Sequence, residues 1–140
     1  MDVKTTFLHG DPEEEIYMQQ LDGFVVKGKE HLVCRLKRSL YGLKQSPRMW
    51  YQKFDAFALN MGFVRSDEDH CVYFKVIDDK ILIIVLYVDD MLFIGNNKEM
   101  IRELKTQLSG TFDMKDLGAA KYILGMEIIR DQVHIKLWLS

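Results

Sequence analysis

The chain has 140 residues, 48% of them hydrophobic, which suffices for one globular domain with an apolar core. Its formal charge is −2, so no overall basic excess points to a nucleic-acid-binding protein. The basic side chains are nevertheless concentrated in one segment, where Glu30 is the only acid. They are Lys27, Lys29, Arg35, Lys37, Arg38, Lys44, Arg48 and Lys53. Such a segment suits either a phosphate backbone or an ordinary solvated face.

Cysteines are sparse and form no Cys-x-x-Cys motif, and no signal-like apolar segment begins the chain. We therefore expect a reducing interior compartment. His31 with Cys34 and His70 with Cys71 could be imagined as zinc ligands. However, adjacent residues on a strand point to opposite faces, which disfavours that site. The longest apolar run is interrupted by two charges and is too short to span a membrane.

The first third of the chain predicts short strands and loops. Residues 1–8 have the pattern of the end of a strand, and residues 10–12 predict a turn. A short strand is predicted at 16–18. Apolar and polar residues alternate over 31–37, as in a half-buried strand. Residues 39–47 predict a loop.

Two helices are predicted. Pro47 suits the first position of one helix, which Gly62 ends. Asn96-x-x-Glu99 has the form of a capping box that opens the second, and Gly110 is expected to close it. Their apolar stripes, which we assign to the core, are Trp50, Phe54, Phe57, Ala58 and Met61, then Ile101, Leu104 and Leu108.

Three β-hairpins complete the pattern. Residues 71–77 are predicted to pair with 80–87, which in turn pair with 91–94. Residues 121–130 and 133–139 form the last hairpin. Helices mixed with antiparallel hairpins in one domain indicate the α+β class.

Asp89 and Asp90 stand between the strands of the second hairpin, within an apolar run. Two adjacent carboxylates, if buried alone, would repel each other and lose several kcal/mol of hydration each. An Asp-Asp pair between strands is often only a turn, as we expect for Asp78 and Asp79, and the local pattern favours that interpretation. The alternative is a divalent cation, because hard ions bind carboxylate oxygens and serve phosphoryl transfer.

Five sequence blocks favour the cation site over the simple turn, because they occur together in the order and at the spacing of one known family. They are residues 1–10, residues 39–48, residues 86–91 with the motif Tyr87-Val88-Asp89-Asp90, residues 112–118 and residues 123–128. With them, the whole chain closely resembles the reverse transcriptase region of copia-type long-terminal-repeat retrotransposon polyproteins. The resemblance implies an RNA-directed DNA polymerase, which extends a DNA primer on an RNA template with deoxynucleoside triphosphates. It also implies the rest of a Pol polyprotein as partner, no membrane, and a cytoplasmic virus-like particle.

The implied fold is a polymerase palm, an antiparallel sheet backed by helices. We expect one partial domain over residues 1–140, with part of the fingers and without the thumb. Asp2, Asp89 and Asp90 match the three catalytic aspartates of the family. They are implied to hold two Mg²⁺ ions, or Mn²⁺, with Asp2 and Asp89 bridging the metals and Asp90 supporting the site.

The resemblance also implies contacts to nucleotide and primer. Nucleotide-binding positions are Phe7, Tyr41, Gly42 and Lys44. Primer-binding positions are Tyr87, Val88, Leu124, Gly125, Met126 and Glu127. Phe7 matches the residue that blocks a ribose 2′-hydroxyl, although a core role is an equal alternative. Lys115 is a possible general acid for the leaving pyrophosphate, or an ordinary exposed charge.

Two functional hypotheses stay open at this stage. In the first, the chain is the catalytic part of a polyprotein polymerase. In the second, it is a catalytically inactive remnant of an element, a folded module with at most weak magnesium or nucleic-acid binding. Asp2 is the second residue, where fraying is expected, so we expect the isolated fragment to be inactive.

Overall fold

The computed structural model describes residues 1–131, 133–134 and 136–140. The helices are α1 (Ser46–Asn60), α2 (Lys98–Thr111) and a 3₁₀ helix at Thr6–His9. The strands are β1 (Asp2–Val3), β2 (Tyr17–Gln19), β3 (Val33–Arg35), β4 (Val64–Arg65), β5 (Val72–Ile77), β6 (Lys80–Tyr87), β7 (Asp90–Gly95), β8 (Met114–Lys115), β9 (Tyr122–Ile123), β10 (Met126–Asp131) and β11 (Lys136–Leu139). Among these residues, neither α1 nor α2 has the length and apolar character needed to cross a membrane.

Each strand pairing that the structure describes is antiparallel. The largest sheet has six strands in the order β4-β5-β6-β7-β1-β8. A three-stranded sheet has the order β11-β10-β9, and β2 and β3 form a separate two-stranded ribbon. Antiparallel sheets together with two α-helices confirm the predicted mixture of helix and antiparallel strand.

The core lies on one face of the six-stranded sheet. Alternate residues of β6, Leu82, Ile84 and Leu86, are buried on this face, each stabilising the fold by about 1.5–3 kcal/mol. The apolar stripes of the helices cover them, with Trp50, Phe54 and Ala58 from α1 and Leu104 and Leu108 from α2. The opposite face remains exposed although it is apolar, with Val64, Phe74, Val76, Ile81, Tyr87 and Ile94.

Two strand predictions in the first third were wrong. The strand pattern of residues 1–8 holds only for Asp2–Val3, because Thr5 has a φ of 50° and turns the chain into the 3₁₀ helix. The buried Thr6 hydroxyl closes that turn by donating to the Val3 carbonyl at 2.8 Å. The half-buried strand at 31–37 is limited to Val33–Arg35 and is exposed, since among the described residues it pairs with β2 alone and no core covers the ribbon.

Both boundaries of the second helix were also mispredicted. Asn97, one residue later than expected, caps α2 by accepting a hydrogen bond from the Met100 N–H at 2.9 Å. Asn96 instead bridges the first hairpin, donating to the Asp79 carbonyl and accepting from the Ile81 N–H. The helix passes through Gly110 and ends where buried Phe112 becomes extended.

The other helix and strand boundaries differ less from the predicted ones. α1 begins at Ser46, one residue before Pro47, and Gly62 follows its end with a φ of 78°. The predicted strand at 121–130 is divided into β9 and β10 by a turn at Leu124 and Gly125. Both turn residues have positive φ, 50° and 81°, which is typical of a tight hairpin.

Candidate active site

The short strand β1 places Asp2 directly opposite Asp90 of β7. The flanking hydrogen bonds run from the Val3 N–H to the Asp89 carbonyl at 2.9 Å and from the Met91 N–H to the Met1 carbonyl at 2.8 Å. This pattern defines a non-hydrogen-bonded pair, in which opposed Cα atoms are about 4.5 Å apart and both side chains leave the same face. The register therefore brings two of the three predicted aspartates together.

Asp89 lies in the tight turn that joins β6 to β7. Val88 and Asp89 are the two loop residues between the paired Tyr87 and Asp90, so the turn predicted from the local pattern is present. Val88 has a φ of 55°, a region that is strained for a β-branched residue. Trp50 of α1 secures the turn, since its indole Nε1 donates to the Val88 carbonyl at 2.7 Å.

Trp50 is thus a residue of the site that the sequence pattern assigned only to the core. Its position in the apolar stripe of α1 gave no sign of the second contact, because a helical period describes which face is buried and not which carbonyl the indole meets. The hydrogen bond links the core helix directly to the turn that carries Asp89.

Four side chains form a row across the open face of the sheet. Lys115 of β8 pairs with Asp2, Asp2 pairs with Asp90, and Asp90 pairs with Tyr87 of β6. Asp2 is half-buried, whereas the other three are exposed. The register therefore places Lys115 on the same face of the sheet as the two carboxylates and next to Asp2.

The donor chemistry of this row suits a hard divalent cation. Among the described residues, no group of three or more His, Cys, Asp or Glu side chains is close enough to hold a metal ion. Magnesium, however, is commonly bound by one or two carboxylates, with water and substrate phosphates completing its shell. Paired Asp2 and Asp90 fit that requirement, with Asp89 adjacent in the turn.

The predicted nucleotide-binding residues come from two segments. Phe7, half-buried in the 3₁₀ helix, lies against Tyr41 with ring centroids 4.8 Å apart. Gly42 has a φ of 92°, which favours glycine, and it is exposed together with Lys44. The structure therefore brings Phe7 and Tyr41 together, with Gly42 and Lys44 on the same loop as Tyr41.

Buried hydroxyls hold this loop in place. The Ser39 hydroxyl donates to Ser46 Oγ at 2.6 Å, and the Ser46 hydroxyl donates to the Leu40 carbonyl at 2.6 Å. The Ser39 N–H also donates to the Gly10 carbonyl at 3.0 Å, which joins the loop to the end of the 3₁₀ helix. Sequence analysis missed both serines, because a serine in a loop is ordinarily exposed.

The predicted primer-binding hairpin is formed by β9 and β10. Leu124 and Gly125 make its turn, and Glu127 pairs with Tyr122, whose hydroxyl donates to Glu127 Oε1 at 3.2 Å. Leu124 and Met126 are exposed. The hairpin is thus preformed, with its apolar side chains on the surface.

A cavity of about 760 Å³ lies beside this hairpin and reaches Asp90 of the carboxylate row. Asp90, Tyr122 and Ile123 line it, together with residues of β7 and α2. Lys105, another lining residue, donates to both oxygens of Asp116 at 2.9 Å. This lysine, followed by the Gly118 N–H, holds the pKa of Asp116 below its ordinary value. Asp90 is thus the member of the row that lines the cavity, whose wall also has the basic groups of Lys98, Lys105, Lys121 and Arg130.

Comparison with known proteins decides the family. The profile of the family described as "Reverse transcriptase (RNA-dependent DNA polymerase)" matches residues 1–140. The chain belongs to the reverse transcriptase family. The resemblance inferred from the five sequence blocks is therefore confirmed.

Relatives of this reverse transcriptase chain are transposon polyproteins. It is 57% identical over 141 residues to the "Retrovirus-related Pol polyprotein from transposon TNT 1-94" of Nicotiana tabacum, which covers 100% of this chain and 11% of the relative. It is 38% and 37% identical over 130 residues to the Pol polyproteins from transposons RE2 and RE1 of Arabidopsis thaliana, covering 93% of this chain and 9% of each relative. The chain therefore spans about a tenth of the length of these relatives. No solved structure matches it.

Proposed function

We propose that this reverse transcriptase chain supplies the palm, with part of the fingers, of an RNA-directed DNA polymerase within a Pol polyprotein. The observation that carries the proposal is the pairing of Asp2 with Asp90, next to Asp89 in the turn. Asp2 and Asp90, side by side in the row, and Asp89 in the adjacent turn form a concentration of negative charge that folding does not require. Two Mg²⁺ ions, or Mn²⁺, are the proposed occupants.

The proposed reaction is nucleotidyl transfer. The 3′-hydroxyl of a DNA primer loses its proton to solvent water, and its oxygen forms a bond to the α-phosphorus of a deoxynucleoside triphosphate. The bond from that phosphorus to the bridging oxygen breaks, and pyrophosphate leaves. Magnesium bound at the carboxylates supplies a lower pKa for the attacking hydroxyl and charge stabilisation for the leaving oxygens. Asp2, Asp89 and Asp90 would hold the ions, and Lys115, which pairs with Asp2, would give a proton to the pyrophosphate.

The loop and hairpin segments around the aspartates position the nucleotide and the primer. The packed rings of Phe7 and Tyr41 form one wall of the nucleotide pocket, where Phe7 excludes a ribose 2′-hydroxyl. Gly42 lets the backbone approach the nucleotide, and Lys44 contacts a phosphate. On the primer side, Tyr87 and Val88 lie beneath the terminus, and Leu124, Gly125, Met126 and Glu127 grip the strand.

A folded but non-catalytic module is the second candidate. The observation that favours it is that the described residues contain no group of three or more protein ligands close enough for a metal ion. In that case the aspartate row binds magnesium weakly and transfers no nucleotide. An activity measurement separates the two candidates.

The experiment uses a chimeric polyprotein, in which residues 1–140 replace the matching segment of the tobacco relative. Primer extension on an RNA template with Mg²⁺ is expected, and Asp89→Asn is expected to abolish it. Asp79→Asn is the matched control, because Asp79 is the second loop residue of the β5–β6 hairpin, as Asp89 is of the β6–β7 hairpin. A soluble, folded chimera without extension, beside an active parent, would establish the second candidate.

A further inference from the structure

The strand β7 is longer than β1, its neighbour in the six-stranded sheet. β7 has 6 residues, Asp90–Gly95, whereas β1 has 2, Asp2–Val3. β6 pairs with the whole of β7, but β1 reaches only its first residues. Among the described residues, positions 92–95 therefore have a strand on one side only. We call the open side the β7 edge.

The backbone groups of Phe93 and Gly95 point to the β7 edge. The Met91 N–H donates to the Met1 carbonyl at 2.8 Å, so the backbone groups of Met91 point to β1. Because these groups alternate in direction along a strand, Phe93 and Gly95 repeat the direction of Met91. On that side, the described part of the chain contains no hydrogen-bond partner for either residue. Unpaired strand edges of this kind are templates for a further strand.

The cavity of about 760 Å³ lies along this edge. Leu92 and Phe93 line it from β7, and residues 117–123, which follow β8, line it as well. Met1 is also a lining residue, so the space continues the line of β1, which itself lies between β7 and β8. Four residues of a strand occupy roughly 650 Å³ at the usual spacings of about 3.4 Å along a strand, 4.8 Å between strands and 10 Å between layers. The cavity therefore has room for a continuation of β1.

The core is open on the side of this cavity that faces α2. Phe93 and Ile101 line the cavity, and both are half-buried against the core cluster. Since Met1 is opposite Met91, the second residue before Met1 would be opposite Phe93 and on the same face of the sheet. An apolar side chain there would cover Phe93 and Ile101. The cavity thus favours a strand with an apolar residue at that position.

The nitrogen of Met1 already occupies the place of a strand amide. It donates to the Met91 carbonyl at 2.7 Å, and the Met1 carbonyl accepts from the Met91 N–H, which is the reciprocal pair of an antiparallel ladder. Burial, followed by the charge of Lys105, lowers the pKa of this amino group. An amide N–H would donate the same hydrogen bond without placing a charge there.

We propose that the β7 edge binds an additional antiparallel strand, supplied by the polypeptide that precedes Met1 in a Pol polyprotein. The chain spans about a tenth of the length of its tobacco and Arabidopsis relatives, which leaves ample polypeptide for this strand. The second and fourth residues before Met1 would exchange backbone hydrogen bonds with Phe93 and Gly95, as in other cases of strand addition. The added strand would also hold Asp2 opposite Asp90, and the importance of that effect for catalysis rests on the proposed function.

A second copy of the chain fits the cavity less well. The corresponding edge of another copy belongs to a strand that is already paired with its own β6. The space between β7 and the chain after β8 is one strand wide, because β1 alone lies between β7 and β8. A single extended segment therefore fits where the edge of a whole sheet does not.

The test is amide hydrogen exchange, followed by NMR, on the 140-residue chain with a designed extension. The extension Val-Thr-Val-Thr, placed directly before Met1, sets its valines opposite Phe93 and Gly95. Exchange of these two N–H groups is expected to slow by about tenfold or more relative to the parent chain, because each gains a carbonyl acceptor.

Two matched extensions serve as controls. Thr-Val-Thr-Val has the same composition but sets its valines on the opposite face of the sheet. Val-Thr-Pro-Thr lacks the N–H that would donate to the Phe93 carbonyl. Both should protect Phe93 and Gly95 less than the designed extension does. Equal protection by all three extensions, or none by the designed one, would overturn the proposal. Protection of Phe93 in the parent chain that rises with protein concentration would also overturn it, by making a second copy the occupant.

The chimeric polyprotein tests the natural polypeptide as the occupant. Proline at the second position before Met1 is expected to lower primer extension by about tenfold or more, because a ladder hydrogen bond to Phe93 is lost. Proline at the first position before Met1, where the N–H points away from β7, is the matched control and should lower it less. An active chimera that tolerates both prolines would leave the proposed function standing and show the strand contact to be wrong. An inactive chimera, beside protection of Phe93 by the designed extension, would leave the strand site standing without the polymerase.

Discussion

The indole of Trp50 donates a 2.7 Å hydrogen bond to the carbonyl oxygen of Val88, and so joins the core helix to the turn that carries Asp89. Val88 adopts a positive φ there, and a strained turn of this kind persists only when its surroundings hold it. The position of Asp89 relative to Asp2 and Asp90 therefore depends on the packing of α1 as well as on the strands.

We predict that Trp50→Phe lowers the free energy of unfolding by about 1–3 kcal/mol, because the Val88 carbonyl loses its donor. Urea unfolding followed by circular dichroism measures this loss. Mn²⁺ affinity, measured by electron paramagnetic resonance, should fall as well if the turn loosens. Trp138→Phe, at a half-exposed position of β11, is the control and should change stability by less than about 0.5 kcal/mol. Equal effects of the two variants would contradict the role of Trp50.

We predict that Val88→Gly leaves the free energy of unfolding unchanged or raises it by up to about 1 kcal/mol. Val88 lies in the left-handed region, which costs an L-residue roughly 1–2 kcal/mol, and glycine removes this cost. Glycine also has more conformational entropy in the unfolded chain, which lowers the free energy of unfolding by about 0.5–1 kcal/mol and offsets part of the gain. Val76→Gly, on an exposed and regular part of β5, has no strain to relieve and should be destabilising. Urea midpoints decide the sign, and a similar fall in both variants would argue against strain at Val88.

We predict that Gly10→Ala destabilises the chain by about 1–3 kcal/mol through overpacking. An added Cβ would lie 2.8 Å from the Met49 Cβ, where helix α1 passes the end of the 3₁₀ helix. Gly110→Ala is the counterpart, because its Cβ would meet no atom within 4 Å and the residue lies within α2. That variant should be more stable by about 0.5–1 kcal/mol. Thermal unfolding of both proteins tests the contrast in sign.

We predict that the parent chain loses more stability than Tyr73→Phe as the pH rises above about 10. Burial, followed by hydrogen bonding to its neighbours, raises the pKa of the Tyr73 phenol well above its ordinary value of 10.0. The phenol donates to Asp55 at 2.9 Å, which also accepts from Arg65. Because the folded pKa is raised, the stabilisation is complete below pH 10 and declines once the unfolded chain can ionise. Urea unfolding from about pH 8 to about pH 11 measures the difference, and parallel pH curves for the two proteins would refute it.

Local sequence patterns predicted the longest strand of the main sheet and both α-helices. The apolar run at 80–87 predicted the strand β6, and the two helical stripes predicted α1 and α2 to within a few residues. The errors lie where a distant group decides the backbone. Asn96 is a residue type that commonly caps helices, but its side chain bonds to the backbone of the β5–β6 turn. The alternating residues 31–37 are not covered by the core, because β3 and its partner β2 form a separate ribbon.

The amino-acid sequence by itself determined the family and the order of the motifs, and it predicted the three aspartates, because these depend on residue type and spacing. Only the tertiary structure decided that Asp2 is opposite Asp90, that Lys115 follows in the same row, and that Phe7 meets Tyr41. It likewise decided that Trp50 supports the turn at Val88. Each of these contacts joins residues far apart in the chain. A strand register or a hydrogen bond of that kind depends on the packing of the whole core, and no local pattern encodes it.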